Sequence, residues 1–252
     1  MLGRTMHGIF YDEIHDEITV PQPFSQSVMT FRGGANGEEA PIRVIQGLRT
    51  QLRNPDKVTV DPVHNEIFVP EVSVESRVLV FAREANGNVA PIRILEGPGT
   101  PWGPSEVAVD PVHNLLVVSA SWQEGGDSRR GLMIFNRTDE GNVKPRAIIS
   151  GPKTGLQRTS RINVYPPRGL VFVSVPGPGT GPGERIASDA SFVGVWNILQ
   201  DQGDVPPRWK IGGPKGLLRQ PRGVTYDAKN KTVIVSDKYL NAVMTYYFPE
   251  IF

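Results

Sequence analysis

A pattern of about fifty residues is repeated along this chain, and this repeat constrains the fold more than any other feature. The hexapeptide Val-Asp-Pro-Val-His-Asn occurs at 60–65 and again at 109–114, and the segment 85–94 closely resembles 35–44. Short alternating apolar runs fill each copy, of which there are about four and a half. A period of this size predicts stacked supersecondary units rather than one irregular domain.

Each repeat contains four apolar runs of strand length, called here strands a, b, c and d. In the second repeat they are predicted at 57–61, 66–70, 77–81 and 91–95. Asn86-Gly87, between c and d, is a strong signal for a hairpin turn. Four-stranded units repeated radially describe a β-propeller, so we predict an all-β fold of four-stranded antiparallel blades.

The repeats divide one predicted domain, 1–252, into blades at about 8–56, 57–105, 106–160, 161–222 and 223–252. Only strands a, b and c are visible in the fifth repeat. We therefore expect a five-bladed ring whose last blade lacks its outer strand. That strand would come from an upstream part of a longer protein or from a partner. A six-bladed propeller truncated at its N-terminus is the alternative.

An aromatic residue ends strand c in every repeat, which predicts a core wedge between neighbouring blades. These aromatic residues are Phe31, Phe81, Phe135, Trp196 and Tyr246.

The composition excludes several classes of function. The formal net charge is +1 and the charges are interspersed, so the basic stripe of a nucleic-acid-binding protein is missing. No apolar run approaches the roughly twenty residues of a membrane-spanning helix. The chain contains no cysteine, which excludes disulfides, thiolate catalysis and cysteine-based metal sites.

The segments 55–81 and 221–246 resemble the NHL-type repeat. Its pattern is Pro-x-Gly-apolar-x-apolar-Asp, a turn, a strand ending in Asp and a strand ending in Phe. The Gly-Asn-Val-Ala-Pro-Ile-Arg element at 87–93 is similar to that of bacterial NHL/YncE-like propeller proteins. The resemblance covers nearly the whole chain. It implies a bacterial protein of the periplasm or the cell exterior, with any leader peptide absent from this chain, whose first six residues look like the middle of a repeat.

The resemblance predicts architecture more than activity, because this superfamily includes lactonase-like hydrolases, lyases and binding scaffolds. The Asp that ends strand b in the family occurs once, as Asp237. The other repeats hold Gln22, Glu71, Ala120 and Val175 at this position. Lactonase-like members hold calcium with acidic and Asn side chains at the central mouth, and a complete set of such residues does not map onto this sequence.

Three histidines, His15, His64 and His113, occupy the same position in three repeats, just after an aspartate in the a–b turn. Residues repeated at one structural position usually serve the turn. The ring would also hold them far apart, so a metal shared among them is excluded.

The residues that begin strand a are expected to surround the mouth of the central channel. The candidate binding residues there are His7, Asp56, Lys57, Glu106, Arg161 and Arg222. They could bind a small anion, a metal or another polar ligand. They could equally pair with one another as an electrostatic plug without a ligand, which we favour. If His7, Asp56 and Glu106 were all able to ligate, they would suit Mg, Mn or Zn.

Extra residues are concentrated in two b–c connections, at 121–130 and 176–191. In a propeller the b–c and d–a connections share one face, and insertions on one face often build a binding surface. Trp122 lies in the first insertion and Trp102 in a d–a connection. We expect them to be exposed beside the mouth, where they could stack on a sugar or anchor a protein. The equal alternative is that each packs its own loop.

Two classes of function follow. The first, which we favour, is a noncatalytic propeller that binds a protein partner, or serves as a subunit of a larger assembly, through its looped face. The unpaired edge of the fifth blade would be a template for an added strand. The second is a metal-dependent lactonase- or lyase-like enzyme with its site at the channel mouth.

Overall fold

The computed structural model describes residues 7–72, 75–99, 101–177 and 188–252. Segment 1–6 and most of the second predicted insertion lie outside these residues. The chain divides into two compact units, one of residues 1–128 and 135–146, the other of residues 129–134 and 147–252. In the described part of the chain, no helix is long and apolar enough to cross a membrane.

Nearly all regular structure is β, as the sequence predicts. The first sheet has the order β1-β2-β3-β4, with β1 Phe10–Asp12, β2 Glu17–Gln22, β3 Ser27–Arg32 and β4 Arg43–Gln46. The second sheet runs in the same sense through β5 Thr59–Asp61, β6 Glu66–Glu71, β7 Arg77–Ala82 and β8 Arg93–Gly97. All neighbouring strands in these two runs are antiparallel. They correspond to strands a to d of the first two predicted blades.

The third sheet contains β9 Trp102–Asp110, β10 Leu115–Glu124, β11 Asp127–Asn136 and β13 Ala147–Ser150. Between β11 and β13 the chain forms a short strand, β12 Gly141–Asn142, which belongs to the second sheet. The fourth contains β14 Arg161–Tyr165, β15 Leu170–Val175, β16 Phe192–Asn197 and β17 Trp209–Gly212. The fifth contains β18 Pro221–Asp227, β19 Thr232–Asp237 and β20 Ala242–Tyr247. Among the described residues this last sheet has three strands, which agrees with the expectation of a blade without its outer strand.

In the parts of the chain that the structure describes, helical structure is restricted to short turns outside the strands. One α-helical turn, α1, spans Gly213–Gly216, and 3-10 turns lie at Leu48–Thr50, Pro152–Thr154, Pro166–Arg168, Ser188–Ala190 and Pro249–Ile251.

The core of each unit lies between neighbouring sheets. In the first unit Phe81 on β7 packs with Val28 on β3 and Ile45 on β4, all at most 2% exposed. Phe81 is therefore a wedge between two blades, as predicted. Phe135 and Trp196 are also fully buried, whereas Phe31 on β3 and Tyr246 on β20 are only partly buried.

The c–d connections depart from the predicted hairpin turns. Gly87 does not close a turn between β7 and β8: its N–H donates to Val44 O at 2.6 Å and its carbonyl accepts from Gln46 N at 3.1 Å. The Asn86 side chain accepts from Val44 N at 2.9 Å. The Asn-Gly pair thus bridges to β4, the outer strand of the preceding sheet. Its φ of +79° at Gly87 still explains why glycine is needed.

The same bridge occurs twice more. Strand β12 pairs in parallel with β8, and Gly203 exchanges hydrogen bonds with Ile148 and Ser150 on both sides of Ile149. Strands β4, β8 and β13 are therefore each bonded on one side to their own strand c and on the other to the c–d connection of the next repeat.

The three repeated histidines serve their turns, as predicted. In each turn the buried aspartate accepts two backbone N–H groups through one oxygen and contacts the histidine Nδ1 through the other. The Nδ1–Oδ2 distances are 2.8, 2.7 and 2.8 Å for His15, His64 and His113.

Candidate functional site

Four of the predicted mouth residues form a connected array in the first unit. His7 Nδ1 lies 2.7 Å from Asp56 Oδ1, and Lys57 Nζ donates to the backbone carbonyl of His7 at 3.0 Å. Lys57 Nζ also lies 3.4 Å from Oε2 of Glu106, which is 2% exposed. The mutual pairing expected of an electrostatic plug is therefore present among these four residues.

The three residues named as a conditional metal set, His7, Asp56 and Glu106, make other contacts in the structure. No cluster of three or more His, Asp or Glu side chains suited to a metal ion occurs within the described ranges. His7 and Asp56 contact each other, whereas the carboxylate of Glu106 is turned to the ammonium of Lys57. A cation at Glu106 would have to displace that lysine.

The other two mouth residues lie together in the second unit. The Ser174 hydroxyl on β15 accepts the backbone N–H of Arg161 at 2.9 Å and lies 3.2 Å from the carbonyl oxygen of Arg222. It therefore ties the starts of β14 and β18. Burial, reinforced by the nearby positive charge of Arg158, holds the pKa of Arg222 below its usual range. The Nε of Arg222 is buried and has no hydrogen-bond partner among the described residues.

A cavity of about 350 Å³ opens in the same unit. Lys153, Arg158 and Lys210 line it together with Asp189 and Phe192. The ammonium of Lys210 lies 4.5 Å from the centre of the Phe192 ring and 3.1 Å from the carbonyl oxygen of Asp189. Among the described lining residues, three cationic side chains face one carboxylate, a balance of charge that favours a small anion over a cation.

The expectation that the two tryptophans are exposed is wrong. Trp102 and Trp122 are 8% and 7% exposed and lie opposite each other on β9 and β10. Trp102 donates through Nε1 to the carbonyl oxygens of Ser76 and Glu96 at 2.9 and 2.8 Å. The burial of both side chains agrees with the equal alternative, in which each tryptophan packs its own segment. Their role in binding stays a prediction.

The first insertion is not a loop but an extension of a hairpin. β10 and β11 are each ten residues long and are joined at Gly125 and Gly126, both at positive φ. Residues 123–130 are exposed. The rest of the predicted looped face, at 178–187, lies outside the described residues.

The strongest departure from the repeat is at β20. Its residue Val243 is 71% exposed. The equivalent strand c positions in the other four repeats are at most 1% exposed: Val28, Val78, Leu132 and Val193. Each of these four lies opposite a buried aliphatic residue of strand d, namely Ile45, Leu95, Ile149 and Ile211.

The backbone of β20 shows the same difference. In three repeats one carbonyl of strand c accepts an N–H from the start of strand d at 2.8 Å. The three pairs are Thr30 with Ile42, Val80 with Ile92 and Val195 with Arg208. The corresponding carbonyl in β20 is that of Thr245, which has no such donor among the described residues. We call the side of β20 that carries Val243, Thr245 and Tyr247 backbone groups the open edge.

Comparisons with known proteins agree with this architecture. No family model matches the chain, and no curated protein matches it. It is similar in structure to Kuenenia stuttgartiensis hydrazine synthase, with a TM-score of 0.63 and 13% identity over 97% of this chain and 65% of that chain. It is also similar to a nidogen/laminin complex, with a TM-score of 0.54 and 16% identity over 97% of this chain and 80% of that chain. The fold is a β-propeller.

At these identities the likeness concerns the fold alone, and the NHL-type assignment of this propeller stays a prediction. Sequence reasoning found the missing outer strand but not its consequence for Val243. The signal was available, because the repeat alignment places Val243 with four aliphatic residues of strand c.

Proposed function

We propose that this propeller is a noncatalytic protein that binds a protein partner, as a subunit of an assembly, and that the partner adds a strand to the open edge. The observation that carries the proposal is the 71% exposure of Val243 at a position that is buried in the four other blades. Backbone N–H and C=O groups at such an edge pair readily with an extended segment of another chain.

The composition of β20 supports this proposal. Proteins usually protect a solvent-facing edge strand with charged residues or proline. Three of the four outer strands, β4, β8 and β17, carry charged residues such as Arg43, Arg93 and Lys210, and the fourth, β13, is bonded to Gly203 on its outer side. Strand β20, Ala-Val-Met-Thr-Tyr-Tyr, carries neither a charge nor a proline and has no such bond among the described residues. An apolar, β-branched and aromatic edge of this kind suits a covered strand better than an exposed one.

The face with the b–c insertions is proposed as an additional contact. The extended hairpin of β10 and β11 carries the exposed residues 123–130, and this exposure supports the proposal. One structure of similar fold is a complex of nidogen with laminin. A protein partner for the present chain is inferred from that fold likeness only by analogy.

The test is a quantitative comparison of co-purifying proteins, using tagged wild-type protein and two variants in the native host. Thr245→Pro removes the outward N–H of the open edge, and Val112→Asp adds a charge at a turn residue that is 64% exposed. A partner retained by wild type and Val112→Asp but lost from Thr245→Pro supports the proposal. A set of co-purifying proteins that is the same for all three contradicts it. Circular dichroism of each variant establishes that it is folded.

A further inference from the structure

The four outer strands share a sequence pattern, and this pattern indicates which kind of strand can pair with strand c. In every copy a proline is followed four residues later by isoleucine or leucine. The pairs are Pro41 with Ile45, Pro91 with Leu95, Pro145 with Ile149, and Pro207 with Ile211. The positions between them vary from arginine to alanine, tryptophan and lysine.

The structure gives each fixed position a role. The residue after the proline donates the N–H that reaches the strand c carbonyl, as Ile92 does to Val80 at 2.8 Å. The proline precedes the paired segment, so its missing N–H costs no ladder hydrogen bond. The final aliphatic residue lies opposite the buried strand c residue, as Leu95 lies opposite Val78.

This aliphatic residue also joins neighbouring sheets. In the second unit Ile211 belongs to a buried cluster with Val193 of its own sheet and with Val224 and Val235 of the following sheet. In the first unit Ile45 packs in the same way with Val58 and Val60 of the following sheet. Strand d therefore covers strand c on one side and fills the space before the next strand a.

The first unit contains an exposed residue, Ile9, at a repeat position that a strand d covers in the second repeat. Ile9, the counterpart of Val58, is 59% exposed, whereas Val58 is 1% exposed. The connection at Asn36-Gly37 is the counterpart of Asn86-Gly87. Within the described residues, Gly37 makes no bridge of the kind that Gly87 makes to β4.

We propose that the partner segment at the open edge is an extended antiparallel strand with the sequence pattern Pro-x-x-x-Ile/Leu. Its aliphatic residue lies opposite Val243, the residue two positions before lies opposite Thr245, and the N–H directly after its proline donates to the carbonyl of Thr245. This inference rests on the proposed function, because it specifies the chemistry of the partner at the same edge. It continues at β20 the c–d interface that the chain already contains four times.

A labelled synthetic peptide with the sequence of residues 89–97, titrated with the intact chain by fluorescence anisotropy, tests the pattern. Its control is the same peptide with Leu95→Asp. We expect the control to bind at least about tenfold more weakly, because the aliphatic side chain is buried on binding. Val243→Asp in the protein should weaken binding of the parent peptide to the same extent, and Val112→Asp should leave it unchanged. Amide hydrogen exchange at Val243 and Thr245 should slow when the peptide is bound.

A second experiment tests the same pattern without requiring the free peptide to bind tightly. The parent and Leu95→Asp sequences are each fused after Phe252 through a flexible Gly/Ser linker of about fifteen residues, which raises the local concentration of the strand. We expect a higher unfolding midpoint for the parent fusion only. Equal midpoints, or equal binding of the two free peptides, overturn the proposed pattern. So does a dimer of the unmodified chain that Val243→Asp dissociates, because the edge would then be taken by a second copy.

These outcomes are separate from failure of the proposed function. If the partner is lost from Thr245→Pro but neither peptide is favoured, the edge binds a protein and only the sequence pattern is wrong. If the parent peptide binds selectively while the co-purifying proteins do not depend on the edge, the pattern describes the edge and the assembly role is wrong.

Discussion

Val193 on β16 lies directly opposite Ile211 on β17, and both side chains are buried in the second unit. Val243 holds the equivalent position on β20 of the same unit but is exposed. One repeat position therefore occurs in a covered and an uncovered state within one folded unit. A comparison of Val193 with Val243 therefore measures how much strand d contributes to the free energy of unfolding at this position.

Val193→Ala should lower the free energy of unfolding by roughly 2 kcal/mol, because it removes buried methyl groups and leaves a cavity. Val243→Ala should change it by less than about 0.5 kcal/mol, since little apolar surface is lost. Urea unfolding followed by circular dichroism measures both. Equal losses would mean that Val243 is covered in solution without any partner.

Gly97→Ala should be strongly destabilising. The backbone at Gly97 has a φ of +129°, and an added Cβ would lie 2.4 Å from Nε1 of Trp102. We expect a loss of roughly 3 kcal/mol, from backbone strain and displacement of the indole. Gly37→Ala is the matched control: its φ is +63° and its Cβ would meet nothing within 4 Å, so about 1 kcal/mol is expected. Urea unfolding compares the two, and tryptophan fluorescence should change only in Gly97→Ala.

Stability in acid should depend on Glu66. Burial disfavours its charged form, but hydrogen bonds from Arg93 and Arg137 outweigh burial and hold the pKa of Glu66 below its usual range. A carboxyl with a lowered pKa in the folded state stabilises above its unfolded pKa of about 4.3, and that contribution is lost as the pH falls through the folded value. We therefore expect a loss of stability below about pH 4 in wild type that Glu66→Gln lacks.

At pH 7 Glu66→Gln should lower the free energy of unfolding by about 3 kcal/mol, because it removes the carboxylate that pairs with the buried Arg137 and the partly buried Arg93. Glu39→Gln is the control, since Glu39 pairs with Arg32 at the surface and should matter much less. Urea unfolding from pH 3 to 7 separates the two. Parallel curves for wild type and Glu66→Gln would exclude the assigned role.

Removal of divalent ions should leave the unfolding midpoint unchanged, because Lys57 already neutralises Glu106 and His7 is turned to Asp56. The measurement is metal analysis of protein purified without added ions, together with thermal unfolding before and after dialysis against a chelator. His7→Ala is analysed alongside. A stoichiometric ion in wild type that His7→Ala loses would favour the enzyme alternative and justify a screen of lactone and lyase substrates.

The repeat made the blades predictable because four-stranded antiparallel sheets follow from local alternation and turns. The histidine turns were predictable for the same reason, since Asp61 and His64 are three residues apart. The buried Glu71 shows what sequence matching underestimated: it accepts the backbone N–H groups of Arg53 and Asn54, as Asp237 does for Arg219 and Gln220. The longer glutamate therefore replaces the aspartate of the repeat pattern.

What sequence could not give were contacts between repeats. Asn86-Gly87 looks like a hairpin turn because positive φ favours glycine in many settings, and only the position of β4 shows which one applies. In the sequence, Trp102 has the appearance of a loop residue. Its indole N–H is satisfied by the carbonyl groups of Ser76 and Glu96, and this contact cannot be read from the sequence. Lys57 and Glu106 are 49 positions apart, so their pairing does not follow from local sequence. The sequence leaves two alternatives open for these residues, mutual pairing or ligand binding.

The bridges from Gly87 to β4 and from β12 to β8 determine how the first unit should come apart. Because β4 and β8 are each bonded to the following repeat, opening one repeat of the first unit breaks backbone hydrogen bonds of its neighbour, and opening there becomes cooperative. β20 has no neighbouring outer strand among the described residues and should exchange its amide hydrogens first. Fraying would then begin at the strand where the proposed partner binds, and association there would lengthen the lifetime of the folded protein.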